Sequence, residues 1–284
     1  MTKSSFIKLF RELELFEGID NEISSDFLKE FKYLRELTII RNMAKHESIL
    51  DGVGRAKSIS DLKNLTTLDI GYSRIGNEGL ESIGQLENLT RLNIRSNNIG
   101  LVEPIINLKT LTALDIGENS IGNEGVKSIS KLTELTSLFI DYDDINEEGA
   151  KYLCELPNLT ILDLTGSNIG DEGAKFIGQS TKLKHLFLSL ADISNVGVNY
   201  LSSLNELVDL ILSLNDIGDE GLKHLSSLKM LNYLNVSGNQ ITDEGVVFIR
   251  EMENLKRISI TNNLLTAVGE NLIQEMSITT DLDL

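Results

Sequence analysis

A pattern of apolar and polar positions recurs along most of the chain. In residues 159–182, LTILDLTGSNIGDEGAKFIGQSTK, leucines stand at positions 1, 4 and 6, a polar residue at position 9 and isoleucine at position 11. The same order returns in nine repeats that begin at Leu65, Leu89, Leu111, Leu135, Leu159, Leu183, Leu207, Leu231 and Leu255. All but the second are 24 residues long. Such self-similarity predicts stacked copies of one small unit, each of which buries its leucines only against its neighbours.

Each repeat is predicted to contain one strand and one helix. Leu162 and Leu164 alternate around Asp163, which indicates a short strand with the leucines inward and Asp163 outward. A G-[DN]-E-G turn and an amphipathic segment follow, and these predict a helix. The residue at position 13 is expected to cap that helix. In five repeats this residue is Asn77, Asn123, Asp171, Asp219 or Asp243.

The strands are expected to pair in parallel from one repeat to the next, with the helices covering the other side. Helices are about 10 Å wide, whereas paired strands lie only about 4.8 Å apart. The stack should therefore curve into a horseshoe, with the strands on the concave face and the helices on the convex face.

The consensus L-x-x-L-x-[LIV]-x-x-[NSDA]-x-[IL] resembles the signature of the leucine-rich-repeat family. The 24-residue length and the sequence G-D-E-G-A are similar to the GALA type of bacterial leucine-rich repeat, which is related to the ribonuclease-inhibitor repeat. The resemblance implies an α/β leucine-rich-repeat solenoid. It also implies that the position 9 side chains turn inward and bind the backbone, a ladder that Ala191 interrupts. The asparagines at this position are Asn42, Asn97, Asn119, Asn215, Asn239 and Asn263.

We expect a single leucine-rich-repeat domain over residues 1–284. Its predicted parts are a degenerate capping repeat at 1–33, an irregular repeat with an insertion at 34–64, nine regular repeats at 65–278 and a final strand at 279–284. The capping repeat rests on Phe10, Leu13, Leu15, Leu28 and Phe31, and the final strand on Thr279, Leu282 and Leu284.

Two repeats depart from the pattern. The insertion MAKHESILDG, residues 43–52, is expected to bulge from the convex side. The repeat that begins at Leu89 is two residues short and contains Pro104, which should limit its helix to a turn. A local change of curvature is expected there.

Charge and composition narrow the class of partner. The formal net charge of −17 would repel nucleic acid and anionic lipid, and it favours a basic partner protein. No apolar run approaches the length of a membrane span. Acidic Asp281 and Asp283 should discourage pairing at the last strand, so a monomer or a weak end-to-end dimer is expected. The single cysteine, Cys154, suits a reducing compartment. We therefore expect a cytoplasmic protein, or one secreted into a host cell by a route without a cleaved signal peptide.

The sequence gives only weak evidence for a catalytic or metal site. The G-D-E-G turns could suggest phosphate binding, but they recur at almost every repeat and carry acids that repel phosphate. The three histidines, His46, His185 and His224, do not have the spacing of a metal site, and Cys154 is remote in register from them. Carboxylates at strand centres occur once per repeat and so give no acid–base pair. We predict no catalytic residue, no metal and no cofactor.

The candidate binding site lies in the middle of the predicted strand side. Aromatic or aliphatic residues cluster at position 5 there. Position 8 lies where each strand ends, and Gly166 at this position is expected to form a low floor between Tyr142 and Leu190. Ile161 and Val208 add apolar area, and an acidic rim is expected from Asp141, Asp143, Asp144 and Asp209. The predicted partner-binding residues are Phe139, Tyr142, Asp163, Phe187, Leu190, Ile211, Leu214 and Tyr233. The alternative is that the aromatic side chains stack on one another and stiffen the sheet.

These observations predict a non-enzymatic scaffold that binds a partner protein through its concave face. The family resemblance adds that it could be a bacterial effector acting on a host protein. One alternative is a recognition module of a larger multidomain enzyme or effector whose catalytic part lies outside this chain. Another is a carbohydrate or small-ligand binder, but that function would require a closed pocket, whereas a solenoid offers an open groove.

Overall fold

The computed structural model describes residues 15–19, 31, 33–40, 52–276 and 278–281. The chain divides into two compact units, unit 1 (Met1–Thr136) and unit 2 (Ser137–Leu284). Several predictions lie outside the described residues. They concern Phe10, Leu13, Leu28, Asn42, the insertion up to residue 51 with His46, Leu282, Asp283 and Leu284.

Unit 1 alternates strands and helices along the chain. The strands are β1 (Leu15–Ile19), β2 (Glu36–Ile40), β3 (Thr67–Asp69), β4 (Arg91–Asn93) and β5 (Ala113–Asp115). The helices are α1 (Gly52–Ile59), α2 (Gly76–Ile83), the 3-10 helix η1 (Glu103–Asn107) and α3 (Gly122–Ile129). Successive strands pair in parallel. The helical turn predicted at Pro104 is confirmed as η1.

The first repeat is placed differently from the prediction. β1 pairs Phe16 with Leu37, so Phe16 occupies the place that the apolar pattern assigns to Leu13. The segment contains apolar residues at several spacings, and only pairing with β2 distinguishes the possible registers. The prediction for this strand was therefore wrong by three residues.

Unit 2 continues the same alternation. Its strands are β6 (Ser137–Phe139), β7 (Ile161–Asp163), β8 (His185–Phe187), β9 (Asp209–Ile211), β10 (Tyr233–Asn235), β11 (Arg257–Ser259) and β12 (Thr279–Asp281). Its helices are α4 (Glu147–Leu153), α5 (Gly170–Ile177), α6 (Asn195–Leu201), α7 (Asp219–Leu225), the 3-10 helix η2 (Gly245–Glu251) and α8 (Ala267–Gln274). All neighbouring strands pair in parallel, 24 residues apart from β6 to β11. In the last pair Ile258 lies opposite Thr280, so Thr280 occupies the place that the repeat pattern assigns to Leu282, and the predicted register of β12 is wrong by two residues.

The core of each unit consists of the apolar positions of the repeat. Leu186 and Leu188 in and after β8 are fully buried, whereas Phe187 between them is only partly buried. The same alternation holds for Leu210 and Leu212 around Ile211. The predicted division into an inward and an outward face is therefore confirmed for β8 and β9, whereas in β11 the position 5 residue Ser259 is buried.

The position 9 asparagines bind the backbone of adjacent turns, as predicted. Buried Asn97 accepts hydrogen bonds from the backbone N–H groups of Ser73 and Ile75, at 3.0 and 3.2 Å. Its amide donates to the carbonyls of Ile70 and Arg95. Asn119, Asn215, Asn239 and Asn263 also donate to turn carbonyls. One side chain thus satisfies polar groups that could not otherwise be buried.

The interruption at Ala191 is compensated locally. The turn of the preceding repeat has no position 9 amide to bind, and its N–H groups bind within the turn. Ser167 donates to the Leu164 carbonyl at 3.1 Å, and Ile169 donates to the Ser167 carbonyl at 2.9 Å. Backbone carbonyls of the turn therefore take the place of the asparagine side chain.

The capping prediction for position 13 needs correction. Asp171 lies inside the first turn of its own helix α5, whose N-cap residue is Ile169, so its side chain is poorly placed to cap that helix. It accepts hydrogen bonds from the N–H groups of Ser194 and Gly197, at 2.9 and 2.8 Å, where the helix of the next repeat begins. Asn77, Asp219 and Asp243 also bind the following repeat. Position 13 therefore links successive repeats.

Asp243 makes the stability of the last helix depend on pH. Hydrogen bonds from the side chain and backbone of Thr266, and from the Gly269 backbone, hold the pKa of Asp243 below its ordinary value. A lowered folded-state pKa gives stability that is complete above the unfolded-state pKa and is lost as pH falls through the folded-state pKa. We expect hydrogen exchange in α8 to accelerate as pH falls from about 5 to below 4, beyond its intrinsic pH dependence.

Asp243→Asn should remove this additional pH dependence. Asparagine can keep an acceptor at position 13, because Asn195 already binds the Gly218 and Gly221 N–H groups in the same way. The stability difference between the wild type and the variant should be constant above about pH 5 and should shrink below it. Parallel pH profiles for the two proteins would show that the Asp243 carboxylate does not control α8.

Candidate functional site

Four predicted site residues form a row across the strand face of unit 2. Phe139 pairs in register with Asp163, Asp163 with Phe187, and Phe187 with Ile211. All four are partly exposed, whereas the leucines beside them on the strands are buried. The order aromatic, acid, aromatic, aliphatic is thus presented on one face. We call Phe139, Asp163, Phe187, Ile211 and Tyr233 the strand-face patch.

The orientation of Asp163 is fixed by its own turn. Its Oδ1 accepts a hydrogen bond from the Thr165 N–H at 2.9 Å. Asp69 binds the Gly71 N–H, and Asn93 binds the Arg95 N–H in the same way. Because asparagine also makes this bond, the turn needs an oxygen acceptor but not a charge. The turn therefore does not require the negative charge of Asp163, which lies on the partly exposed side of the strand.

Side-chain pairs occupy the neighbouring row of the strand face. His185 Nδ1 lies 2.6 Å from Asp209 Oδ2, across the β8–β9 pair. The Arg257 guanidinium lies 4.9 Å from the centre of the Tyr233 ring. Asp209 pairs with His185 and is partly exposed, so it lies at the surface, as the predicted acidic rim requires. Tyr233 reaches the surface with a cation over its ring.

The other three predicted residues lie at the strand exits. Tyr142, Leu190 and Leu214 are 52, 44 and 55% exposed, and they line a cavity of about 520 Å³. The full lining is Tyr142, Gly166, Asn168, Leu190, Asp192, Leu214, Asn215 and Asp216, which we call the strand-exit pocket. The eight predicted residues thus divide into two sets, five on the strands and three in this pocket.

The floor predicted at Gly166 is partly filled. Gly166 has a φ of +71°, and a Cβ atom at this residue would lie 2.5 Å from carbons of the Tyr142 ring. Tyr142 therefore leans over the backbone of the next repeat. Gly238 accommodates Leu214 in a similar way. The prediction of a low floor needs correction, because the Tyr142 ring occupies part of the space above Gly166.

The predicted acidic rim is wrong at two positions. Asp143 is fully buried, because position 9 turns toward the interior as at Asn97, and Asp141 is only 4% exposed. Asp144 is exposed, as expected. Sequence reasoning missed Asp192 and Asp216, which are exposed and line the strand-exit pocket. They share position 10 with Asp144, and this recurrence was the signal that could have revealed them.

The strand-exit residues have a left-handed backbone. The φ values of Tyr142, Leu190 and Leu214 are 56, 53 and 56°. Ser96 and Asn262 adopt the same conformation at position 8 of other repeats. This region is unfavourable for bulky side chains, and asparagine tolerates it better. Leucine here costs stability without the compensation of full burial.

Leu190→Asn should therefore leave the free energy of unfolding within about 0.5 kcal/mol of the wild-type value or raise it, as for surface changes. The matched change Leu188→Asn places an amide in a fully buried position two residues away. It should cost at least about 3 kcal/mol. Urea unfolding followed by circular dichroism measures both. Equal losses would mean that Leu190 is part of the core.

The described residues contain no group of three or more histidine, cysteine, aspartate or glutamate side chains that could hold a metal ion. Partial burial is the main cause of a raised pKa for the Cys154 thiol, which disfavours the reactive thiolate. No helix within the described part of the chain is long and apolar enough to cross a membrane.

Comparisons with known proteins define the class. The model of the leucine-rich repeat region family matches residues 4–270, and the chain therefore belongs to the leucine-rich-repeat family. Its fold is an α/β leucine-rich-repeat solenoid, similar to an internalin (inlF) from Listeria monocytogenes str. 4b F2365 with a TM-score of 0.64. That likeness has 19% sequence identity and covers 98% of this chain and 88% of the internalin chain. No curated protein matches the sequence. Proteins of this fold are typically non-enzymatic scaffolds for protein–protein interaction.

Proposed function

We propose that the protein binds a partner protein through the strand face of unit 2, the side that the repeat pattern predicts to be concave. The observation that carries this proposal is the row Phe139, Asp163, Phe187 and Ile211, paired in register on adjacent strands and partly exposed. Elsewhere on the strand faces position 5 is polar, as at Asp69, whose partner in β4 is Asn93. Core packing does not require aromatic residues on this outward face.

The row suits recognition of a basic side chain. Phe139 and Phe187 flank Asp163, and two strand spacings separate them by roughly 10 Å. The stem of a lysine or arginine from the partner can pack between the rings while its charge pairs with Asp163. Aromatic anchors next to a desolvated charge are typical of interface hot spots. The net charge of −17 would also speed the approach of a basic protein.

We also propose that the protein acts as a monomer, and that it works in the cytoplasm or as a bacterial effector inside a host cell. The first proposal is supported by the net charge of −17, because copies of the chain repel one another, and the second by the repeat type and the single cysteine. Light scattering tests the monomer, because a stable tetramer would contradict it.

Affinity capture can test the strand-face proposal before any partner is known. The immobilised baits are the wild type, Phe187→Ala, Asp163→Asn and the control Asp69→Asn, and the captured proteins are quantified by mass spectrometry. Asp163→Asn removes the charge and keeps the turn acceptor, as Asn93 shows. Asp69→Asn makes the same change on the strand face of unit 1.

One set of proteins should be captured by the wild type and by Asp69→Asn, and should be depleted severalfold with the other two baits. Equal capture on all four baits would place the binding surface elsewhere.

A further inference from the structure

The strand-exit pocket combines exposed apolar walls with negative charge. Tyr142, Leu190 and Leu214 supply three large apolar side chains, and Asp192 and Asp216 supply two carboxylates. The lining contains no lysine, arginine or histidine. Two of the four charged or amide lining side chains are thus anionic and none is cationic, so the pocket is electrostatically complementary to a cation.

The carboxylates are available to a ligand. Within the described part of the chain, no cationic side chain pairs with Asp192. Asp216 accepts a hydrogen bond from the neutral amide of Gln240, which leaves its charge uncompensated. The amide of Asn215, by contrast, is occupied by the turn carbonyls of Leu188 and Leu212. The two aspartates are therefore the polar groups of the pocket best placed to receive a partner's charge.

The fold does not require apolar walls, since it accepts other residues at this position. Other repeats place Tyr72, Ser96, Glu118, Gly166, Gly238 or Asn262 at the same left-handed backbone position. Leu190 and Leu214 adopt it at a steric cost and remain about half exposed. Two consecutive repeats thus present leucine where glycine or asparagine is less strained. Binding of an apolar group from a partner would bury these two leucines.

The size of the pocket fits an extended peptide. Tyr142 and Leu214 are three repeats apart, which is about 14 Å at the usual strand spacing. Four residues of extended chain span about the same distance. A segment crossing the strand exits could place apolar side chains on the leucines and a basic side chain at Asp192 and Asp216.

We propose that the strand-exit pocket binds a short extended segment of a partner protein in which a lysine or arginine adjoins apolar residues. The apolar side chains pack on Tyr142, Leu190 and Leu214, and the cationic group pairs with Asp192 and Asp216. This inference rests on the proposed function, because it assumes a protein partner. It adds a second contact region and states the chemistry that the region selects.

A random peptide library displayed on phage and selected on the wild-type protein tests this inference. The selected peptides are synthesised and titrated against the wild type, the double variant Asp192→Asn/Asp216→Asn, Leu190→Asn, the strand-face variant Phe187→Ala and the unit 1 control Asp69→Asn. Asparagine suits the left-handed backbone of Asp192, for which φ is 59°, and keeps an oxygen acceptor for Gln240. Circular dichroism confirms that each variant is folded.

The selected peptides should share a lysine or arginine beside apolar residues. Their Kd should rise at least about tenfold with the double variant and with Leu190→Asn, and less than about twofold with Asp69→Asn, which makes the same carboxylate-to-amide change in unit 1. No selection, peptides without a basic residue, or an unchanged Kd with the double variant would each overturn the inference. Calcium binding that the double variant abolishes, without selection of any peptide, would identify a cation site and would also overturn it.

The Phe187→Ala variant separates this inference from the proposed function. Peptides that lose affinity with Phe187→Ala but keep it with the double variant would support the strand-face patch and refute the strand-exit pocket. The reverse pattern would support the pocket and leave the patch to be judged by affinity capture.

Discussion

Leu186→Ala is expected to lower the free energy of unfolding by roughly 2 to 5 kcal/mol, the range for a leucine removed from a close-packed core. Leu186 is fully buried at the centre of β8, and it pairs with Leu162 on one side and Leu210 on the other. Each repeat buries its leucines against its neighbours, so the cavity would disturb three repeats. Urea unfolding followed by circular dichroism measures the loss.

Phe187→Ala is the matched control for this change. Phe187 is the next residue on the same strand, but it lies on the outer face and is partly exposed. Its truncation should cost clearly less stability than that of Leu186, although more atoms are removed. A loss below about 1 kcal/mol for Leu186→Ala, or a larger loss for Phe187→Ala, would mean that the two faces of β8 have been exchanged.

Asn97→Ala is the second substitution with a large expected effect, at least about 3 kcal/mol of unfolding free energy. It leaves the N–H groups of Ser73 and Ile75 and the carbonyl of Ile70 without their side-chain partner. Asn97 is fully buried, and a buried polar group without a partner costs about 1–3 kcal/mol. Denaturant unfolding of the whole protein, with and without the substitution, measures this loss of unfolding free energy.

Asn199→Ala serves as the control, because Asn199 is exposed on helix α6 and alanine favours a helix. It should change stability by less than about 0.5 kcal/mol. The chain already tolerates alanine at position 9 in Ala191, where Ser167 and Ile169 bind within the turn. A loss below about 1 kcal/mol for Asn97→Ala would show that the turn beside Asn97 can rearrange in the same way.

The regular part of the fold could be predicted because its signals repeat. Leucines such as Leu162 and Leu186 recur every 24 residues. The register of a strand that is ambiguous by itself can therefore be taken from the equivalent strands of other repeats. The first strand has no such support, and its register was displaced from Leu13 to Phe16. The caps were misassigned for another reason. Asp171 has the composition of an N-cap, but its partner at Ser194 lies one repeat away, and only the stacked structure brings them together.

The candidate site could be predicted as a set of outward positions but not as a surface. Period-two alternation identifies Phe187 as outward, and the register then places it beside Asp163. Beyond the strand the backbone turns left-handed, and alternation no longer indicates direction. Asp143 consequently turned out to be buried, whereas Asp192 turned out to line a pocket with Leu190. Contacts such as the Tyr142 ring over Gly166 depend on rotamers that a sequence pattern does not encode.

Isothermal titration calorimetry of the captured partner against the strand-face variants tests the central claim most directly. Phe187→Ala and Asp163→Asn should each weaken binding by at least about 1.4 kcal/mol, a tenfold loss of affinity. Asp69→Asn should bind as tightly as the wild type, because it makes the same chemical change in unit 1. Equal affinities for the wild type and all three variants, each shown to be folded, would contradict recognition through the strand face of unit 2.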